Sequence, residues 1–244
     1  MNRTASIFAI GGILTAAICL PLAALMHRDG ARPWRWESIT ADWNSDGPTR
    51  NGGPIVSRDF TWDGSDRVEF DGSGDLHFHP APTWHLSVRG PEHTLDRLRV
   101  GDGRIRLHDS GFFHWDSPDH LDIQLSGPDL QQIAVNGSGS ITLDDLKQEK
   151  VDIHIRGSGS ALAHGSVESL HLEIAGSGSA QLEGLAAKDA YVRIAGSGDA
   201  DIASTESADV SIAGSGDVRL HGSPRRLSSH VAGSGRVVNV VPAS

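Results

Sequence analysis

Three groups of residues in this chain have types and spacings that could do chemistry. Asp199, Asp201 and Asp217 follow glycine turns in successive repeats. On one face they would offer the carboxylate pair of a polysaccharide hydrolase or lyase, which needs two carboxyl groups about 5–9 Å apart in split acid and base roles. His77 and His79 stand two apart, so a strand would project both from one side, and His108, His114 or His120 could complete a metal site. Trp62, Trp84, Phe112, Phe113 and Trp115 are flat rings that stack on sugars or pack a partner. Each group also has a plainer reading: solvated turn carboxylates, surface histidines, and aromatics of a core or cap. The plainer reading is preferred for all three, and no catalytic residue, metal ligand or cofactor is assigned. The aromatics stand as ligand-contact candidates.

The elements that would position these groups are set by a repeat. Gly-Ser-Gly begins at Gly72, Gly137, Gly157, Gly176, Gly196, Gly214 and Gly233, with spacings of 20, 19, 20, 18 and 19 from Gly137 onward. A divergent copy, Gly101-Asp102-Gly103, lies between the first two. Ile133, Ile153, Leu172, Val192 and Val210 stand four residues before a corner, and Val135, Ile155, Ile174, Ile194, Ile212 and Val231 two before. Ile141, Ala161, Ala180, Ala200, Val218 and Val237 follow two after, and Leu143, Ala163, Leu182, Ile202 and Leu220 four after. Val68, Phe70, Leu76 and Phe78 fit the same template around Gly72.

Alternation with period two means strands with one buried face. Equal repeat lengths and like residues at like positions favour stacked rungs over a meander. The reading is an all-β, right-handed parallel β-solenoid over 55–241. Seven or eight rungs at about 4.8 Å each would make a rod roughly 35–40 Å long. The structural turns are Gly72, Gly74, Gly137, Gly139, Gly157, Gly159, Gly176, Gly178, Gly196, Gly198, Gly214, Gly216, Gly233 and Gly235. In a stack these glycines lie over one another, where a side chain would crowd the next rung. The serine between them is expected to bond neighbouring backbone or the next serine. A tripeptide that recurs seven times is a corner; a nucleophile has no reason to recur so.

The first half is less regular. All six Trp and all six Phe precede residue 116, and seven of 13 His lie between His77 and His120. Leu86-Ser87-Val88-Arg89-Gly90-Pro91 resembles Ile123-Gln124-Leu125-Ser126-Gly127-Pro128, which suggests two wider rungs with a Gly-Pro corner. Residues 28–54 read as a polar linker or cap. Residues 1–27 read as one hydrophobic helix: Ile7 to Met26 carries no charge and is long enough for a membrane anchor, with a cleaved signal peptide as the alternative. Ile18 before Cys19 argues against lipidation. The body is therefore expected outside the cytoplasm, anchored in the inner membrane facing the periplasm, or free in the periplasm or at the cell surface.

The formal net charge of -10 and the lack of a basic stripe set nucleic acid aside. One cysteine allows no internal disulfide. The uncovered apolar strand from Val237 to Val241 suggests self-association at the solenoid end.

With its ladder laid out, the chain resembles the bacterial auto-transporter adhesin family with the head GIN domain. The resemblance runs from Ile55 to Val241. It rests on Val135-Asn136-Gly137-Ser138-Gly139, on the Gly-Ser-Gly ladder and on Gly127-Pro128-Asp129-Leu130; the tripeptide Gly-Ile-Asn itself is absent. The resemblance implies a pectin-lyase-like β-helix without catalytic residues, in an adhesin-like or scaffolding role at the cell envelope. Its partners would be surface glycans or envelope proteins. A polysaccharide-active enzyme on the same scaffold is the alternative function.

Overall fold

Each apolar alternation becomes a strand whose apolar residues point inward and whose intervening polar residues face outward. The computed structural model describes residues 53–107 and 120–240. The strands are β1 (Ile55–Phe60), β2 (Arg67–Gly72), β3 (Gly74–Pro80), β4 (His85–Pro91), β5 (Leu98–Gly101), β6 (Arg104–Leu107), β7 (Leu121–Gly127) and β8 (Gln132–Gly137). The long strands β9 (Ser140–Gly157), β10 (Ser160–Gly176), β11 (Ser179–Gly196) and β12 (Asp199–Gly214) follow. β13 (Asp217–His221), β14 (Arg226–Gly233) and β15 (Arg236–Val240) end the ladder, and one helix, α1 (Glu92–Arg97), interrupts it. The architecture is an all-β solenoid of about five turns. The expected N-terminal hydrophobic helix, residues 1–27, and all but the last two residues of the expected linker, 28–54, lie outside the described residues; among those described, no helix is long and apolar enough to cross a membrane.

The core follows the template. Ile153, Leu172, Val192 and Val210, and Ile155, Ile174, Ile194 and Ile212, are fully buried. Burying such a side chain contributes about 1.5–3 kcal/mol relative to leaving it exposed. Ala161, Ala180 and Ala200 narrow the facing column.

The corners stack in register, Gly72 on Gly137, Gly137 on Gly157, and so on to Gly233. From Gly137 to Gly233 the first glycine of each corner has a positive φ, between 113° and 145°. In the Gly72 corner the second glycine, Gly74, takes that role, with φ 144°. The tie between rungs is made by the serine amide rather than its hydroxyl: Ser177 N–H donates to the Gly157 carbonyl at 2.9 Å, and Ser197 to Gly176 at 2.9 Å. A second glycine corner escaped the sequence reading. Gly165 has φ 131°, and a Cβ there would lie 2.2 Å from the Leu146 carbonyl oxygen.

The first half departs from the expected order of rungs. β2–β3 stacks directly beneath β8–β9, skipping the chain between them. That intervening chain runs back below: β6 pairs in parallel with β2, and β7 with β3. The wider rungs are not formed. The two similar segments pair with each other instead, antiparallel, Leu86 opposite Leu125 and Val88 opposite Ile123. β1 adds antiparallel outside β4 and closes that end of the sheet. An edge strand can be paired from either direction, which is why a repeated segment can become a hairpin-like partner rather than a rung.

Gly101-Asp102-Gly103 is likewise no rung corner. It joins β5 to β6 antiparallel, and Asp102 and Gly103 have φ 50° and 69°. Two central residues with positive φ are the mark of a tight type I′ hairpin, for which Asp-Gly is a preferred pair.

Among the described residues nothing covers the final rung. Leu227 and Val238 are 46% and 45% exposed. Its inward positions include Ser229, where the preceding rung has Val210, and Asn239, where it has Leu220. These polar substitutions wet part of an end that earlier rungs would fill with aliphatic side chains.

Candidate functional site: an arginine-lined cleft over the spliced rungs

The face formed by the strands before each corner carries outward side chains in columns five, three and one residues ahead of the glycine. Parallel register makes these columns continuous across rungs. Where β6, β2, β8 and β9 lie side by side, the middle column reads Arg104, Glu69, Ala134, His154. Beside it run Arg67, Gln132 and Asp152 on one flank, and Asp71, Asn136 and Arg156 on the other. Ala134 is the one small residue in this grid, so it forms the floor of a cleft of about 320 Å³. Arg67, Glu69, Arg104, Gln132, His154 and Arg156 form its walls.

Hydrogen bonds hold the walls upright. Arg104 Nε donates to Glu69 Oε2 at 2.8 Å, and Asn136 Nδ2 donates to Glu69 Oε1 at 2.8 Å and to Asp71 Oδ1 at 2.5 Å. Arg67 Nε donates to Gln132 Oε1 at 2.7 Å. Arg156 reaches Asn136 Oδ1 at 3.5 Å, a long contact that leaves most of its donors available. The Arg67 and Arg104 bonds use Nε, so among the described residues the terminal nitrogens of both guanidinium groups have no partner. Three arginines against Glu69 give the lining a local positive excess on a chain whose formal charge is -10.

An aromatic strip continues from the cleft along the same face. The His154 and His171 ring centroids are 6.0 Å apart, and Tyr191 meets His171 edge-on at 4.8 Å. Tyr191 is 41% exposed. Beneath the strip, Asp152 is buried and bound by Lys150 Nζ at 2.8 Å; its other oxygen lacks a hydrogen-bond partner, with His171 Nδ1 4.0 Å away.

The residues singled out from sequence fall elsewhere. Trp62 is buried, and its indole N–H donates to the Ser65 carbonyl at 3.0 Å. Trp84 is half-buried and packs on Trp62, Phe78 and Gly127. These two rings belong to the packing at the closed end. Phe112, Phe113, Trp115, His108 and His114 lie outside the described residues. His120 Nε2 donates to Asp75 Oδ2 at 2.8 Å; burial pushes that carboxyl up, but hydrogen bonds from Ser140 and His120 bring it below its ordinary value. Among the described residues no group of three His, Cys, Asp or Glu is placed to hold a metal.

The aspartates are corner and ion-pair residues. Asp199 Oδ1 accepts from the Asp217 amide at 2.8 Å, and Asp201 pairs with Arg219 at 3.3 Å. Arg236, bonded to Asp217 at 2.7 Å, holds that carboxyl below the ordinary carboxylate value, the opposite of a catalytic acid. A lowered folded-state pKa stabilises the fold above the unfolded value of about 4, and that contribution is lost as pH falls through the lower folded value. The last rung should therefore loosen in acid: protection of the β15 amides, corrected for intrinsic exchange, falls below about pH 4. Arg236→Gln should flatten that pH step; an unchanged step would show that the pair does not control it.

Comparison with known proteins now settles the lineage. A family model described as "Putative auto-transporter adhesin, head GIN domain" matches residues 66–224. The chain belongs to this family. A "putative adhesin" from Bacteroides fragilis of known crystal structure shares the fold, with a TM-score of 0.62 at 20% identity over 77% of this chain and 97% of that one. A "putative adhesin" from Parabacteroides merdae is more distant, with a TM-score of 0.49 at 18% identity over 78% and 97% of the two chains. A "putative lipid binding protein" from Parabacteroides distasonis has a TM-score of 0.49 at 21% identity over 78% and 98%. No curated protein matches.

Proposed function

We propose that this family member is a non-catalytic, exported cell-envelope protein that works by surface contact, as an adhesin or scaffold. The carrying observation is the contrast between a regular solenoid and one irregular polar cleft walled by guanidinium groups. Family membership supports the adhesin-like role. Glu69 is the carboxylate of the lining, and it is tied to Arg104 and Asn136, which suits a binding wall better than an acid–base pair. In the same reading the coil is right-handed, as crossovers between parallel strands almost always are. Residues 1–27 anchor the chain in the inner membrane or direct its export, and surface glycans or envelope proteins are its partners.

Beads coated with the full chain should adhere to bacterial or host cells and release no sugar from polysaccharide. Arg156→Glu in the cleft wall should cut adhesion several-fold. Release of oligosaccharides would overturn this reading in favour of a polysaccharide-active enzyme. Contact between copies through the uncovered last rung belongs to the proposal; a constant monomer mass on sedimentation at rising concentration would remove it.

A further inference from the structure

We infer that the arginine-lined cleft binds an acidic polysaccharide, seating a carboxylate or sulfate group over Ala134 while adjoining sugars run along His171 and Tyr191. The inference rests on the surface-contact reading and gives it a ligand class.

Three features of the cleft and its surroundings lead there. First, Arg67, Arg104 and Arg156 converge on one floor, and each guanidinium presents a planar fork that matches a carboxylate or sulfate through two parallel bonds. The Nε contacts of Arg67 to Gln132 and of Arg104 to Glu69 fix those two stems, so less freedom is lost on binding. Second, the walls also offer polar groups other than guanidinium. The Gln132 amide nitrogen stands beside the floor with the His154 imidazole, whose Nδ1 is held by Glu173 Oε2 at 3.1 Å, the mixture that hydroxyl-rich rings require. Third, the strip of His171 and Tyr191 lies on the next two rungs, about 4.8 Å apart each. An exposed ring face there can stack on a sugar one or two residues along from the bound acid.

A membrane surface fits less well. A bilayer needs a broad basic face, whereas the three guanidinium groups here are confined to one cleft of about 320 Å³.

The test uses the full chain and named probes. Immobilised protein is titrated with polygalacturonate, dextran sulfate and neutral dextran, and separately with vesicles of phosphatidylglycerol or phosphatidylcholine. Polygalacturonate or dextran sulfate should bind at least tenfold more tightly than dextran, and added salt should weaken that binding. Arg67→Ala and Arg156→Ala should each weaken it about tenfold at an unchanged melting temperature. Arg156→Lys should recover only part, because an ammonium is a point charge. Arg219→Ala, on the other strand face, should leave binding unaltered. Tyr191→Ala should weaken the polymer more than free galacturonate.

Equal binding of acidic and neutral polymers, untouched by the two arginine substitutions, would overturn the inference while leaving cell adhesion as evidence for surface contact. Arginine-dependent binding to phosphatidylglycerol vesicles, with no polysaccharide retained, would overturn it in favour of a lipid surface. Failure of both the glycan titration and the bead adhesion would overturn both readings.

Discussion

Gly196→Ala should lower the midpoint of thermal unfolding by roughly 6–12 °C, and Gly196→Val should yield little soluble protein. Gly196 has φ 131°, which L side chains rarely adopt. A Cβ there would sit 2.3 Å from the carbonyl oxygen of Gly176 on the rung below. That oxygen cannot retreat, because it accepts the Ser197 amide at 2.9 Å and so ties the two rungs together. Backbone strain and overpacking each cost about 1–3 kcal/mol, so roughly 3 kcal/mol together is a low estimate for a central rung. Ser197→Ala, one residue away and exposed, should stay within about 0.5 kcal/mol of the parent. Denaturant melts of the three variants check this. Equal stability of Gly196→Ala and Ser197→Ala would mean that corner stacking does not limit the fold.

Trp84→Ala should also destabilise the chain, by about 3 kcal/mol, and should leave acidic-glycan affinity intact. The Trp84 ring lies over Gly127 so closely that a Cβ on that glycine would be 2.0 Å from it. It also meets Phe78 at 6.4 Å and Trp62 at 6.1 Å between centroids. Loss of the indole would open a void where β3, β4 and β7 meet the loop before β4. Its partial exposure keeps the cost at the lower end of the range for tryptophan removal. A stable Trp84→Ala protein that no longer held polysaccharide would instead make this ring a ligand platform, as its residue type alone suggests.

The contrast between Trp84 and Arg156 shows where residue type misleads. Tryptophan advertises sugar binding, but Gly127 leaves a notch that the ring fills. Arg156 is an ordinary outward residue one position before a corner, and in sequence it stands 52 positions from Arg104 and 89 from Arg67. Its relation to Arg67 was in fact written in the repeat, since both occupy outward positions counted back from a corner glycine. Arg104 carries no such mark, because it follows a hairpin rather than preceding a Gly-Ser-Gly.

By itself, the sequence determined the strands, the corners, the buried columns and the parallel register from Gly137 onward. Those features depend on local rules: alternation with period two, glycine where φ is positive, and equal spacing between corners. Tertiary structure alone decided that the Gly72 rung meets Gly137 directly, that Leu86–Val88 pairs antiparallel with Ile123–Leu125, and that β6 slips beneath β2. The physical reason is that a strand edge offers the same donors and acceptors to any partner, near or far in sequence and in either direction. Which partner wins depends on the whole chain's packing, and that choice set the three arginines around one alanine.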